Sequence, residues 1–396
     1  MEKEIRVEKP WLVFSIIAIT TFILGSAVDV FVPSLPHIAI FFHASAAETR
    51  LSVTVYLIAY GIFQLFYGSI SDHYGRRKVL IFGLIGYSFS SYLITLSTSV
   101  QIFLVLRFFQ GMFTGGVGVV NRAVLSDSYS GKMLSKYASY ILIAWASGPI
   151  ISPFIGGYLQ EFFGWKSCFY FLTIYTIISV LLVIFFLPET CRNCTKISLK
   201  QLFKNYQEVF SSRVFVSGAL ICGMIYGFIT VYNVVGPFLV ETELKYGPIV
   251  YGHIALVLGL AWTTGIMIFR YRLARSKITT ITNSFLMSAL VISILWIVSG
   301  SFLPMNLATA AVPAVLLFIC GGVIFTDTFA KTLGIFPHAA GMASAALGSM
   351  FSIVSGVCSG VAGLLTSHSL MPVSVTFLVL TLLSFMFFKG VLSRAK

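Results

Sequence analysis

Long apolar segments alternate with short polar gaps along the whole chain, and this alternation predicts a bundle of membrane-spanning helices. A helix needs roughly 20 apolar residues to cross about 30 Å of hydrocarbon. Twelve such segments are predicted, at 11–36, 49–71, 78–97, 101–123, 136–158, 167–187, 213–239, 249–270, 279–300, 307–331, 339–366 and 371–392. The predicted fold is therefore an all-α polytopic membrane protein with twelve transmembrane helices.

The twelve segments divide into two sets of six around a polar stretch, which predicts three regions. These are an N-terminal six-helix bundle at 1–187, a cytoplasmic linker at 188–212 and a C-terminal six-helix bundle at 213–396. A basic turn near Arg76 recurs near Arg272, about half a chain later. This offset indicates duplication of a six-helix unit, so the two bundles are expected to be pseudo-symmetric.

Composition shows which solvent surrounds the chain. Of the 396 residues, 58% are apolar and 10% are charged, and the mean hydropathy is +0.94. These values exclude an ordinary water-soluble domain, because most of the surface has to be apolar. The net charge of +13 raises the question of nucleic acid. The basic residues lie in the polar gaps without interleaved aromatics, so we expect no nucleic-acid partner.

The distribution of Lys and Arg predicts the orientation. Of the 26 basic residues, 22 lie on the side of the termini and the linker. Arg50, Lys166 and Lys245 lie on the other side, and Arg107 lies inside a segment. Cytoplasmic loops are enriched in Lys and Arg, so we predict a multi-pass protein of the inner (cytoplasmic) membrane with both termini in the cytoplasm.

The linker carries apolar residues among lysines. This spacing suits either a simple tether between the bundles, which we favour, or a short amphipathic helix on the inner leaflet. Cys191 and Cys194 form a C-x-x-C pair without a second Cys or His pair nearby, so neither a metal nor a cofactor is expected.

The most specific motif follows the second predicted helix. It reads Gly68-Ser-Ile-Ser-Asp72-His-Tyr-Gly75-Arg76-Arg77-Lys78. Gly68 would permit close helix approach, Gly75 would permit a tight turn, and Asp72 could bind a cation or a helix amino terminus. The motif resembles the signature of the major facilitator superfamily, whose fold has two six-helix bundles. A simple positive-inside loop is the alternative.

The resemblance implies a conformational latch in this loop. In that family the first arginine pairs with a carboxylate after helix four, for which Asp127 is the match. The predicted latch comprises Gly68, Asp72, Gly75, Arg76, Arg77 and Asp127. Such polar contacts can break and re-form as the two bundles rock.

The fifth predicted helix carries a second motif. It contains Gly148, Pro149, Pro153, Gly156 and Gly157. Proline removes backbone hydrogen bonds and glycine lets helices approach closely, so this helix is expected to bend and to pack against the opposite bundle. The motif resembles the signature of the exporting, antiporter branch, which implies a periplasmic seal. A kinked packing helix without that role is the alternative.

Two charged residues inside the apolar segments indicate proton coupling. Asp29, Pro33 and Pro36 resemble the D-x-x-x-P-x-x-P motif of Bcr/CflA-type drug exporters, and Arg107 with Gln110 resembles R-x-x-Q-G. An ionised carboxylate is costly in an apolar helix until a proton or a cationic substrate compensates it. We predict Asp29 as the proton site, and the resemblance implies that Arg107 tunes it. A structural tie of Arg107 to a backbone carbonyl is the alternative.

A substrate cavity is predicted from polar-tipped side chains on the central helices. Its candidate residues are Tyr60, Gln64, Gln110, Tyr226 and Asn233. Such residues suit amphipathic molecules, although Tyr is also common in helix packing and at membrane interfaces.

The sequence thus predicts a proton-coupled efflux transporter for small amphipathic molecules or drugs, acting by alternating access. The alternative is a dedicated exporter of a polar metabolite such as a siderophore or amino acid. Asp327 and Lys331, one helical turn apart, are expected to neutralise each other. The expected partners are a small-molecule substrate, protons and the lipid bilayer, and the protein is expected to be a monomeric non-enzyme.

Overall fold

A computed structural model describes residues 10–191, 199–273, 278–365 and 369–392. Several of the basic residues that were used to predict the orientation, and Cys194, lie outside these described residues. They are Lys3, Arg6, Lys9, Arg192, Lys196, Arg275, Lys277, Arg394 and Lys396.

The prediction of twelve spanning helices is confirmed, since twelve helices are long and apolar enough to cross a membrane. The helices are α1 Pro10–Asp29, α2 Ala46–Tyr74, α3 Arg76–Thr95, α4 Val100–Ser128, α5 Gly131–Phe163, α6 Trp165–Phe186, α7 Arg213–Pro237, α8 Pro248–Leu273, α9 Ile278–Phe302, α10 Leu307–Leu333, α11 Ala340–Gly363 and α12 Met371–Phe387. The polar gap predicted between the fourth and fifth helices, at 124–135, was too long. The helical backbone of α4 and α5 continues past the point where the sequence becomes polar.

Side chains that cap the helix ends explain several of the boundaries. Ser45 and Glu48 form a capping box at the start of α2, in which each side chain accepts the other residue's backbone N–H. Asn306 and Thr309 do the same for α10. These caps satisfy N–H groups that the first helical turn leaves without partners.

The first helix of each half loses its regular geometry near the same end of the bundle. After α1 ends at Asp29, the chain forms a 3₁₀ turn at Val32–Ser34 and a short helix at Leu35–Phe41. After α7, a π-helix follows at Phe238–Glu243. Pro33 lies at the start of the 3₁₀ turn. Proline has no backbone N–H, but the N–H groups at the start of a helical turn have no helical partner, so proline fits there.

The helices pack with the same pattern in both halves. In the first half α1 packs on α5, α2 on α4, and α3 on α4 and α6; in the second half α7 packs on α11, α8 on α10, and α9 on α10 and α12. The halves meet mainly where α2 packs on α11 and α5 packs on α8. This correspondence confirms two pseudo-symmetric six-helix bundles, while the domain boundaries at 187 and 213 stay predictions.

Large apolar side chains cover the outer surface of the bundle. Examples are Phe82, Phe185, Met267, Val298 and Met386, all of which are exposed. In water such a surface would aggregate. In a bilayer it contacts lipid, so the exposure agrees with the polytopic prediction.

The linker contains a helix at Leu199–Ser211, which we call the linker helix. Val209 is buried, and Tyr206 and Phe210 pack against an apolar cluster formed by helices of the second half. The Tyr206 hydroxyl donates a hydrogen bond to the backbone oxygen of Leu65 on α2 at 3.1 Å. The linker helix therefore contacts both halves, which the prediction of a simple tether did not include.

Glycines permit the close crossing of α1 and α5. A Cβ on Gly148 would collide with the backbone of Gly25, and one on Gly156 would collide with the backbone oxygen of Val30. Close approach of this kind gives helices in lipid much of their packing energy.

We predict that Gly156→Ala destabilises the α1–α5 crossing by about 1–3 kcal/mol, because the added methyl group overpacks it. A lower apparent melting temperature of the purified protein in detergent would report this loss. Gly341→Ala is the matched control, since no atom lies within 4 Å of an added Cβ there. Equal melting temperatures for both variants would contradict the close crossing.

Candidate functional site

The predicted latch residues meet around the turn between α2 and α3, which marks what we call the basic end of the bundle. Gly75 forms this turn with a φ of +95°, a backbone conformation that favours glycine. Arg76 forms an ion pair with Asp72, and its Nε donates to Oδ2 of Asp127 at 3.0 Å. Asp127 belongs to the last turn of α4 rather than to a loop.

Glu189 completes this cluster and was not predicted. Its carboxylate accepts the backbone N–H groups of Arg76 at 2.9 Å and Arg77 at 3.2 Å. A carboxylate at a helix amino terminus is favoured by the helix dipole and by unpaired N–H groups. The sequence signal was weak because Glu189 lies 113 positions from Arg76.

Two latch residues differ from what the motif suggested. Gly68 makes only an ordinary contact, since an added Cβ would lie 3.8 Å from Val119 of the same half. Asp72 pairs with Arg76, and among the described residues no ion pair joins it to the second half. The contacts of the latch in this structure therefore lie within the first half, and its opening and closing stay a prediction.

Asp29 lies where α1 loses its helical geometry, and it is 3% exposed. One carboxylate oxygen accepts a hydrogen bond from Nδ2 of Asn233 at 2.5 Å. Oδ1 of Asn233 accepts in turn from the hydroxyl of Tyr251 on α8 at 3.4 Å. The carboxylate of the first half is therefore bonded directly to the second half.

Arg107 is fully buried near Asp29. Its guanidinium lies 4.4 Å from the ring centres of both Phe31 and Tyr56. It donates to the backbone oxygens of Ala27 at 3.3 Å and Ser52 at 3.4 Å. It attracts Asp29 electrostatically without forming an ion pair with it. The structure therefore shows the alternative arrangement, in which backbone carbonyl oxygens hold the guanidinium of Arg107.

Gln110 does not line the cavity. It is fully buried, its Oε1 accepts from Arg107, and its Nε2 donates to Oγ of Ser91 at 2.7 Å. The motif placed Gln110 one helical turn from Arg107, and the structure uses that spacing to hold the guanidinium. Gln110 is not on the wall of the cavity in this structure, because its side chain points toward α3, and its role in substrate binding stays a prediction.

A cavity of about 570 Å³ lies between the two halves and reaches the basic end. Four predicted residues are on its wall: Tyr60, Gln64, Tyr226 and Asn233. Binding of a substrate to them stays a prediction. The volume suits a drug-sized molecule, and most of the wall is apolar or aromatic.

The cavity wall also contains residues that the sequence reasoning missed. Trp145 stacks on Tyr226 with ring centres 6.1 Å apart, and Trp262 packs edge-on to the same tyrosine at 6.5 Å. Arg122 faces the cavity from α4. Because helix four was predicted to end at 123, this arginine was counted among the basic residues of the cytoplasmic side.

A second, water-sized space lies between the closed end of the cavity and Asp29. It has a volume of about 20 Å³, and its wall shares Tyr60, Trp145 and Tyr226 with the large cavity. Roughly 10–15 Å³ is enough for one water molecule. The carboxylate of Asp29 therefore lies beside a space of water size that is next to the cavity.

The other end of the bundle is closed by direct contacts between the halves, and we call it the sealed end. Hydroxyl oxygens of Thr54 and Ser359 lie 2.9 Å apart. Arg50 donates to the backbone oxygens of Gly363 at 3.2 Å and Leu365 at 2.9 Å. These polar contacts join α2 to α11 across the interface.

The predicted seal residues divide between two contacts. Pro149, Gly148 and Gly156 pack on α1 in their own half, and only Pro149 also lines the cavity. Gly157 faces the backbone at the start of α8, and the backbone oxygen of Pro153 faces Gly252. The expectation that the whole motif packs on the opposite half was therefore met only by Pro153 and Gly157, and the sealing role stays a prediction.

Asp327 and Lys331 form the predicted local pair. Nζ of Lys331 lies 2.6 Å from Oδ2 of Asp327, and the Thr282 hydroxyl donates to the same carboxylate. Neither charged residue lines the cavity.

No group of three metal-binding side chains occurs in the described ranges.

Comparison with known proteins places this geometry in a family. The Major Facilitator Superfamily model matches residues 17–358. An uncharacterized MFS-type transporter, YdgK, of Bacillus subtilis is 29% identical over 372 residues, covering 91% of this chain and 90% of that protein. Multidrug resistance protein D of Escherichia coli is 25% identical over 346 residues, covering 86% and 85%.

The fold agrees with a solved member. The D-xylose-proton symporter superimposes with a TM-score of 0.80 at 14% identity, covering 98% of this chain and 99% of that one. The family match and the transporter relatives make this chain a membrane transporter rather than an enzyme. The chain belongs to the Major Facilitator Superfamily, which confirms the predicted family, and the multidrug resistance relative agrees with the predicted exporter branch.

We predict that cysteines at Thr54 and Ser359 form an intramolecular disulfide on mild oxidation, because their side-chain oxygens are already in contact. Mass spectrometry of the digested protein would detect the linked peptides. Leu125 and Phe329 lie on cavity walls of opposite halves and provide the control pair. Linkage of the control pair but not of the Thr54–Ser359 pair would show that the sealed end is assigned to the wrong side of the cavity.

Proposed function

We propose that this protein is a proton-coupled exporter of small amphipathic molecules that works by alternating access. Asp29 is the group at which protons and cargo compete. The name of the multidrug resistance relative supports export of drug-like molecules. The family resemblance supports movement of a cavity between two sides of the membrane.

The observation that carries this proposal is the hydrogen bond between Asp29 and Asn233. Burying an ionised carboxylate costs several kcal/mol, and one hydrogen bond to a charged group contributes about 1.5–3 kcal/mol. The remaining cost is offset by a proton or by a cationic group of the cargo. Two ligands that compensate the same charge exclude each other, which is the requirement of an antiporter.

The same hydrogen bond links the charge of Asp29 to the position of the halves. When a proton neutralises Asp29, the charge-assisted bond to Asn233 becomes an ordinary one and weakens by about half. The balance between the two arrangements of the halves then shifts. An equilibrium of this kind responds to any ligand that binds one arrangement better.

In this proposal the structure is the inward-facing state of the cycle. The basic end carries Arg76 and Arg77 and faces the cytoplasm of the inner membrane, as the positive-inside rule requires. Cargo enters the cavity there. Opening of the sealed end requires separation of Thr54 from Ser359 and release of Arg50 from α11.

We predict that Asp29→Asn abolishes gradient-driven export of ethidium from proteoliposomes, with a loss of at least about tenfold, because asparagine cannot take up a proton. Exchange of ethidium in the absence of a gradient should be weaker, because the cation loses its carboxylate partner, and should no longer depend on pH. The measurement is ethidium flux with and without an imposed pH gradient.

Asp327→Asn is the matched control, since it removes a buried carboxylate that does not line the cavity. This variant should keep its response to the gradient whatever its absolute rate. If Asp29→Asn still responds to the gradient while Asp327→Asn does not, the coupling site is assigned to the wrong half.

A further inference from the structure

Arg122 is the one charged side chain on the wall of the large cavity within the residues that the structure describes. It lies on α4 about two turns before the helix ends at Ser128. Its Nη2 donates to Oε1 of Gln64 on α2 at 3.3 Å. Tyr60 and Asn121 lie on the same wall, so this region is its most polar part.

The charge of Arg122 lacks an acidic partner in the described part of the chain. No carboxylate there lies within 4.0 Å of the guanidinium. Its electrostatic partners are the phenols of Tyr60 and Tyr206, which are neutral near pH 7. A guanidinium offers five N–H donors, and the bond to Gln64 uses one of them.

Two other arginines inside the spanning helices show how a structural guanidinium is held here. Arg107 donates to two backbone oxygens and lies between two aromatic rings. Arg50 donates to backbone oxygens and lies 4.3 Å from the ring centre of Phe238. No ring contact or backbone acceptor of this kind is found for Arg122 among the described residues, and its side chain lines the cavity.

The rest of the cavity wall suits an apolar body. Trp145, Trp262 and Phe325 contribute aromatic surface around Tyr226. Aromatic side chains bind ring systems by stacking and edge contacts. A ligand with a ring system and one anionic group would satisfy both the aromatic surface and Arg122.

We propose that Arg122 and Gln64 form an anion-binding subsite, and that the cargo is an amphipathic zwitterion whose carboxylate or similar group binds there. The proposal rests on the proposed function, because the cavity has to be the export site. It adds the charge type of the cargo, which the multidrug relatives do not specify.

Charge balance explains why a zwitterion fits better than a simple anion. An anion at Arg122 would favour a protonated Asp29, so proton and cargo would bind together rather than exclude each other. An ammonium group is about the size of the water that the space beside Asp29 can hold. Gln64, beside Arg122, lies eight residues along α2 from Tyr56, beside Asp29, which is about 12 Å along the helix. A molecule whose two charged groups span such a distance would therefore bind Arg122 and still compete with the proton.

The test compares two probes that differ in a single group. Naphthylalanine carries a carboxylate and an ammonium, whereas naphthylalaninamide keeps the ring and the ammonium but has a neutral amide. Binding of each probe to the purified full-length protein in lipid nanodiscs is measured by equilibrium dialysis. Wild-type protein should bind naphthylalanine at least about tenfold more tightly, because a charge-assisted contact replaces a neutral one.

Arg122→Gln should remove this preference by weakening naphthylalanine alone, and Arg122→Lys should keep part of it, because it retains the charge without the forked geometry. Lys132→Gln is the matched control, since it removes an exposed cation at the same end that does not line the cavity. It should leave the preference unchanged.

The proposal is overturned if the wild type binds both probes equally or binds neither, or if Arg122→Gln retains the preference. The same holds if Arg122→Gln weakens both probes to the same extent, which indicates a structural role. Ethidium export without a probe preference refutes the anion subsite alone. A probe preference without gradient-driven export refutes the proposed function alone.

Discussion

The hydrogen bond between Asp29 and Asn233 is the contact on which the rest of the arrangement depends, because it places a buried carboxylate of one half against the other half. The irregular backbone after α1 and after α7 occurs at this depth. The aromatic residues around Tyr226 end the cavity just before Asp29 and leave a space of about 20 Å³. In the proposed mechanism, proton, cargo and interhalf contact therefore all involve the same carboxylate.

Charged groups elsewhere in the molecule have distinct roles that follow from their partners. Arg76 and Glu189 organise the basic end through ion pairs and backbone N–H groups. Arg50 holds the sealed end through backbone oxygens of the second half. Among the residues that the structure describes, Arg122 lacks such partners and lines the cavity, which is the basis of the proposed anion subsite.

The sequence predicts the fold well, because hydrophobic period and loop charge are local properties. It also finds Asp29, Arg107 and the basic turn, since a charged residue in an apolar helix is conspicuous. It did not show that Gln110 contacts Arg107 and Ser91 or that Arg122 lines the cavity. Which face of α4 meets the cavity depends on how α2 and α3 pack beside it. In addition, the apolar segment in the sequence ends before the helix ends at Ser128. Glu189 was missed because its partners are distant in the chain.

The central claim is that cargo and proton exclude each other at Asp29. It is tested most directly by measuring proton release when ethidium binds to purified protein in weakly buffered solution. We predict release of up to about one proton per bound ethidium, at a pH where Asp29 is protonated before binding, and none from Asp29→Asn. Ethidium binding without proton release at any pH, or equal release from Asp29→Asn, would contradict the claim.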